Sequence, residues 1–193
     1  MELIKKIVIG LIIYALLSII VIVFLKDVLS LDNSLFLFVS SFSNVYLDMF
    51  FLLVTYVGSS VFWVLTFIIF WTKNRKVSAY LFIAFIIDTF SQFLLKTFFI
   101  RLRPYEVFSG RLLAFDIELG ASFPSGHTQR AFSGSVILGS FYKKYRIPLF
   151  ALAVLVAISR IYIGVHYPLD TLAGAINGLL FGMIVLNIPL KKL

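Results

Sequence analysis

The chain has 193 residues, no cysteine, 61% hydrophobic residues and 13% charged ones, with a mean hydropathy of +1.05. A water-soluble domain is about half apolar and a quarter charged, so disorder, collagen, a disulfide scaffold and an ordinary cytosolic enzyme are excluded. The 17 basic and 9 acidic residues leave a formal charge of +8; in a membrane protein the placement of basic residues matters more than their sum, and no nucleic-acid partner is expected.

Apolar runs extend over Ile4 to Leu25, Leu47 to Trp71, Val77 to Ile100, Thr128 to Tyr142, Ile147 to Ile163 and Pro168 to Leu190, each bounded by charges or turn formers. Six crossings at about 20 residues each would use about 120 residues and leave no room for a second folded domain. The expected architecture is all-α: one integral membrane six-helix bundle over residues 1–193. The first run follows Lys5 and Lys6 in the manner of a secretory signal, but it is long and no small-residue cleavage site follows, so it reads as an uncleaved helix. If the six helices alternate, Lys5, Lys6, Lys73, Arg75, Lys76, Lys143, Lys144, Arg146, Lys191 and Lys192 fall on one side, which the positive-inside tendency makes the cytoplasm. Both termini are then inside. Lys26, Lys96, Arg101, Arg103, Arg111, Arg130 and Arg160 fall at or near the other face, together with Asp27, Asp32, Glu106, Asp116 and Glu118.

Connections on the cytoplasmic side are short, whereas two on the other side are long, and long connections in a compact domain usually carry function. In the first, Lys26 to Tyr46, the residues Leu35, Phe36, Phe38 and Val39 suit a short helix lying in the interface. The second runs from Arg101 to Pro124.

Ionisable groups near a bilayer are candidates for function, and here they form three clusters at one face. The first is Lys96, six intervening residues, then Arg103-Pro104 at the end of the third crossing. These cations either snorkel to the headgroups or bind an anion, and Arg101 suits snorkelling better. The second, Pro124-Ser125-Gly126-His127-Thr128, opens the fourth crossing. Helix-start NH groups, a hydroxyl and a glycine that admits close approach make an anion site; an ordinary cap is the simpler alternative. The third is Ser159-Arg160, five intervening residues, then His166-Tyr167-Pro168-Leu169-Asp170. Asp170 in a first turn either complements the helix dipole or holds Nδ1 of His166, which would leave Nε2 free as nucleophile or base. Three cations, a helix amino end, a carboxylate and two imidazoles on one face match the needs of phosphoryl transfer, where positioning and electrostatic stabilisation dominate.

The three spaced motifs resemble those of the type-2 phosphatidic acid phosphatase superfamily of histidine phosphatases, without a departure at a defining position from Lys96 to Asp170. The resemblance implies that His166 is the nucleophile and forms a phosphohistidine, that Asp170 orients it, and that His127 is first general acid and then general base. It implies that Lys96, Arg103, Ser125, Gly126 and Arg160 bind the substrate phosphate. It implies no metal and no other cofactor, and the chain offers no carboxylate cluster for one. The implied partner is a lipid phosphate reached from water or sideways from the outer leaflet of the cell membrane. A polyprenyl diphosphate, such as undecaprenyl or dolichyl diphosphate, is favoured; phosphatidate, phosphatidylglycerophosphate, phosphoryl transfer to another acceptor and, outside enzymes, transport are the alternatives.

Other polar residues read as structural. Asp88, Gln92 and Lys96 form a stripe on the third crossing. Asp48 reads as a cap, and Gly58, Ser59 and Ser60 as small residues for close packing. Arg130 either contacts a second phosphate of a diphosphate substrate or pairs with an acidic loop residue.

Overall fold

The computed structural model describes residues 9, 10, 12, 25–42, 44–108 and 119–190. The first expected crossing lies almost wholly outside them, as do Lys5, Lys6, Lys191 and Lys192, and Arg111, Asp116 and Glu118 in the second long connection. Among the described residues all regular structure is helical: α1 (Leu25–Ser41), α2 (Val45–Tyr56), α3 (Ser60–Lys73), α4 (Arg75–Phe98), the one-turn α5 (Pro104–Val107), α6 (Gly126–Phe141), a 3-10 turn (Lys143–Tyr145), α7 (Arg146–Tyr162) and α8 (Pro168–Leu186).

Three of these units are long and apolar enough to cross a bilayer: α4, the 3-10 turn with α7, and α8. A fourth results if α1 and α2, which meet at a bend of 118°, count as one broken span. The protein is thus a membrane protein, with three or four full-length spans among the described residues. The run Leu47 to Trp71 is where expectation and structure part. It breaks at Val57 to Ser59, because the Ser59 hydroxyl caps α3 by accepting from the Phe62 amide at 3.1 Å. At the other end of α3, Asn74 closes one helix and opens the next: its amide donates to the Phe70 carbonyl at 2.7 Å, and its side chain accepts from the Val77 amide at 3.2 Å.

The helix expected between Lys26 and Tyr46 is present as α1 and is amphipathic in place. Leu35 and Phe38 are exposed, whereas Phe36 is buried against Ile161 and Tyr167, with Val39 and Phe108 beside it.

The axis of the molecule is α6, whose polar composition would make no sense on a lipid face. Twelve of its sixteen residues are buried. It packs along α8 through a ridge of glycines at Gly174, Gly178 and Gly182, spaced four apart and so stacked on one face. A Cβ at Gly174 would sit 2.4 Å from the Ser125 carbonyl oxygen, and one at Gly178 would sit 2.3 Å from that of Gln129. Only glycine lets these two backbones approach so closely. Away from this seam an apolar cluster joins Trp63, Val77, Tyr80, Leu81, Ile137 and Val185, with Phe70, Tyr142 and Leu190 packed on it. Because Phe70, Tyr142 and Leu190 each lie near a helix end, Lys73, Arg75, Lys143 and Lys144 gather at that end of the bundle, and the three polar clusters at the opposite one.

Candidate active site

The third cluster is shaped by how α7 stops. Gly164 has φ +90°, a conformation that glycine adopts without cost, and the chain then doubles back. The amides of Val165 and His166 both donate to the Arg160 carbonyl, at 3.3 and 3.2 Å. Pro168 then starts α8, its missing N–H costing nothing at a first helical position. This brings His166 and Asp170, both fully buried, to one turn's separation, with His166 Nδ1 3.5 Å from Asp170 Oδ2. The same oxygen accepts from the Tyr167 amide at 2.9 Å. Burial pushes the Tyr167 phenol above its ordinary value, so it stays neutral at pH 7.

The first cluster reaches the same place. Pro104 starts α5, and the Arg103 amide donates to Glu106 Oε2 at 2.6 Å. The Arg103 guanidinium is fully buried and donates to the carbonyls of Gly120 at 3.0 Å, Val165 at 3.1 Å and Ala121 at 3.3 Å. Its Nη1 lies 3.5 Å from His166 Nε2. The imidazole is therefore held between a carboxylate on Nδ1 and a guanidinium on Nε2. The Nε2 edge of the ring thus faces a fixed cation.

The second cluster joins the third through the backbone, the Ser125 amide donating to the Asp170 carbonyl at 2.9 Å. Ser125 Oγ accepts from Thr128 Oγ1 at 3.0 Å. The first-turn amides of α6, which a helix leaves without partners inside itself, and the positive end of the helix dipole belong to this corner. Gly126 also leaves room for a neighbour: a Cβ there would land 1.9 Å from Gln92 Oε1, so the Gln92 amide lies directly on the glycine. Lys96 continues the Asp88, Gln92 face of α4 one turn beyond that contact and is half-buried. His127 is half-buried and backs onto the α2–α3 break, where a Cβ on Gly58 would sit 2.7 Å from His127 Cβ. Arg160 is fully buried and donates from Nη1 to Thr55 Oγ1 at 2.7 Å. All eight residues expected to act thus lie at one end of the bundle, with direct contacts joining His166, Asp170, Arg103 and Ser125.

Several side chains differ from their sequence reading. Arg101 does not snorkel: its guanidinium is one-fifth exposed, donates to Asp170 Oδ1 at 2.8 Å and to Asp32 Oδ2, and lies 3.8 Å from the Tyr167 ring centroid. Asp48 is not a cap; Asn44 caps α2, and Asp48 accepts from the Tyr162 hydroxyl at 2.6 Å. Arg130 turns into the bundle and donates from Nε to the Gly58 carbonyl at 3.0 Å, which ties α6 to the α2–α3 break. Asp88 is buried and structural as expected, accepting from Ser133 Oγ and from Gln129 Nε2, the latter at 3.0 Å. Among the described residues no three His, Asp or Glu side chains are grouped to hold a metal ion.

A family model described as the PAP2 superfamily matches residues 77–193. The chain belongs to the PAP2 superfamily. It is 36% identical over 114 residues to a Bacillus licheniformis protein named bacitracin transport permease protein BcrC, a match covering 59% of this chain and 56% of that one. It is 32% identical over 126 residues to an undecaprenyl-diphosphatase of Sulfolobus acidocaldarius, covering 63% and 61%. The matches thus span less than two thirds of those relatives' own lengths. The crystal structure of a transmembrane PAP2-type phosphatidylglycerolphosphate phosphatase from Bacillus subtilis superposes with a TM-score of 0.75 at 26% identity, over 95% of this chain and 93% of that one.

Proposed function

We propose that this PAP2 protein is a membrane-embedded, metal-independent lipid phosphatase that hydrolyses a polyprenyl diphosphate through a phosphohistidine. The observation that carries the reading is the buried imidazole of His166, with Asp170 at Nδ1 and Arg103 at Nε2. In the first step the Nε2 lone pair attacks the terminal phosphorus, the P–N bond forms as the P–O bond to the lipid phosphate breaks, and His127 gives its proton to the departing oxygen. In the second, His127 takes a proton from water, the water oxygen attacks phosphorus, and inorganic phosphate leaves with His166 restored. Asp170 holds the Nδ1 proton and stabilises the charge that His166 acquires. Arg103, Arg160, Lys96, the Ser125 hydroxyl and the Gly126 amide hold the non-bridging oxygens. The chain forms one six-crossing domain over residues 1–193 in the cell membrane, with both termini in the cytoplasm and this site at the extracytoplasmic face, where lipid substrate enters sideways.

The undecaprenyl-diphosphatase relative supports the diphosphate substrate. The phosphatidylglycerolphosphate phosphatase, which this chain matches over more of its length, supports a glycerophospholipid monophosphate as the second reading. A panel of undecaprenyl diphosphate, phosphatidylglycerophosphate, phosphatidate and a soluble phosphate ester, ranked by kcat/KM for phosphate release, separates them. His166→Ala is expected to abolish an acid-labile phosphoenzyme and turnover together. Normal turnover in His166→Ala overturns the mechanism, and transport of a solute without phosphate release would make the protein a conduit.

A further inference from the structure

Asp170 has two oxygens with different duties. Oδ2 faces His166 Nδ1 at 3.5 Å and accepts from the Tyr167 amide, while Oδ1 accepts from Arg101 at 2.8 Å. The other terminal nitrogen of Arg101 donates to Asp32 Oδ2, and Asp32 Oδ1 accepts from the Leu169 amide at 2.8 Å. A ring is therefore closed from Asp32 through Arg101 to Asp170 and back through the residue before it. Asp32 is 2% exposed although it belongs to α1. It lies one turn from Phe36, whose ring packs edge-on against Tyr167 with centroids 5.7 Å apart, so the same face of α1 delivers both.

On the phosphatase reading above, we propose that Arg101 and Asp32 are positioning residues for His166: Arg101 fixes the rotation of the Asp170 carboxylate, and Asp32 fixes Arg101 and offsets its charge. A guanidinium is the suitable group, because its planar fork can hold one carboxylate on each terminal nitrogen. The electrostatic consequences have opposite signs. Arg101 draws on the negative charge of Asp170 and so weakens the stabilisation of protonated His166; Asp32 restores part of it.

The charged and titratable groups at this end come from every neighbouring helix. They include Asp170 of α8 and the adjacent Tyr167, Arg103, Tyr105 and Glu106 around α5, Arg160 and Tyr162 of α7, His127 of α6, Lys96 of α4 and Asp48 of α2. Arg101 and Asp32 reach His166 through Asp170.

The chain has only two histidines, so ¹⁵N imidazole titration of the full chain in detergent, in a His127→Gln background, reads His166 alone and needs no substrate. Arg101→Gln and Asp32→Asn are expected to move the ¹⁵N response of His166 in opposite directions. Arg101→Lys keeps the charge and should titrate close to the parent. In the chain with His127 intact, Arg101→Gln and Asp32→Asn should lower kcat about 10-fold or more while KM moves less than about 3-fold, because the loss is of alignment in the reacting state. Parallel shifts, or no shift, in variants that melt like the parent overturn the proposal and leave the phosphatase reading standing. Opposite shifts in a protein whose parent releases no phosphate from any lipid of the panel would remove the phosphatase reading and keep the electrostatic coupling.

Discussion

Gly178→Ala tests whether the glycine ridge sets the site from a distance. The added Cβ would sit 2.3 Å from the Gln129 carbonyl oxygen, 2.8 Å from Phe132 Cβ and 3.0 Å from the Ser133 amide nitrogen. The first and last are backbone atoms of α6 and cannot swing aside, so α8 must withdraw by about 1 Å to reach ordinary van der Waals contact. Such overpacking costs about 1–3 kcal/mol. Asp170 lies on the same helix, about 12 Å nearer the site end, and its carbonyl is the acceptor for Ser125. A displacement of about 1 Å carried to that end costs about 100-fold in rate. Thermal melting in detergent and kcat/KM on the best lipid substrate measure the two effects. Gly139→Ala is the control, because its Cβ would meet the flexible Arg146 side chain at 3.2 Å. A Gly178→Ala protein that melts like the parent and keeps its kcat/KM within about 2-fold would refute the reasoning.

Three further outcomes follow from individual contacts. Thr55→Val removes an acceptor of a fully buried Arg160; the loss of about 1–3 kcal/mol should raise KM more than it lowers kcat, and an unchanged KM would detach Thr55 from substrate binding. Arg130→Ala should reduce turnover of diphosphates and monophosphates alike, because Arg130 is engaged with the Gly58 carbonyl. A selective loss on diphosphates would instead give it a second phosphate. Asp88→Ala removes the carboxylate that accepts from Ser133 and Gln129, leaving them the Arg130 carbonyl and Ser91 Oγ, and should cost about 1–3 kcal/mol of stability, visible as a lower melting temperature, with Asp88→Asn milder. Equal melting of all three proteins would remove Asp88 from the network.

The three clusters could be read in the sequence because each is local. A proline, a glycine and a few fixed offsets are enough to place Ser125 at a helix start or to set Asp170 one turn after His166. The crossing read from Val77 to Ile100 was equally legible, as a long apolar run bounded by charges, and α4 covers nearly all of it. Arg101 was not, since its partners Asp32 and Asp170 each lie 69 positions away, and an arginine beside a membrane helix looks the same whether it meets lipid headgroups or carboxylates. The break at Gly58 was hidden for a related reason. The apolar run continues through it, and what stabilises the interruption is a carbonyl accepting from Arg130, 72 positions later. The glycines at 174, 178 and 182 did carry a signal in their spacing, but which helix they face depends on α7 returning the chain so that α8 runs parallel to α6.

These long-range partners also divide the site between two parts of the chain. The PAP2 match begins at residue 77, so His166, Asp170, His127, Lys96 and the arginines all lie within it. Their supports do not. Asp32 holds Arg101, Thr55 holds Arg160, Gly58 receives Arg130 and leaves room for His127, and Asp48 holds Tyr162. Residues 25–60 therefore act as the mould in which a set of reactive groups is fixed, and α1 contributes through one buried face, Asp32 and Phe36, while its other face stays exposed. A substitution on the exposed face, such as Phe38→Ser, leaves that mould intact, whereas one at Asp32 reaches Asp170, the neighbour of His166, through two hydrogen bonds. One helix thus carries both an exposed apolar face and the carboxylate that reaches Asp170 through Arg101.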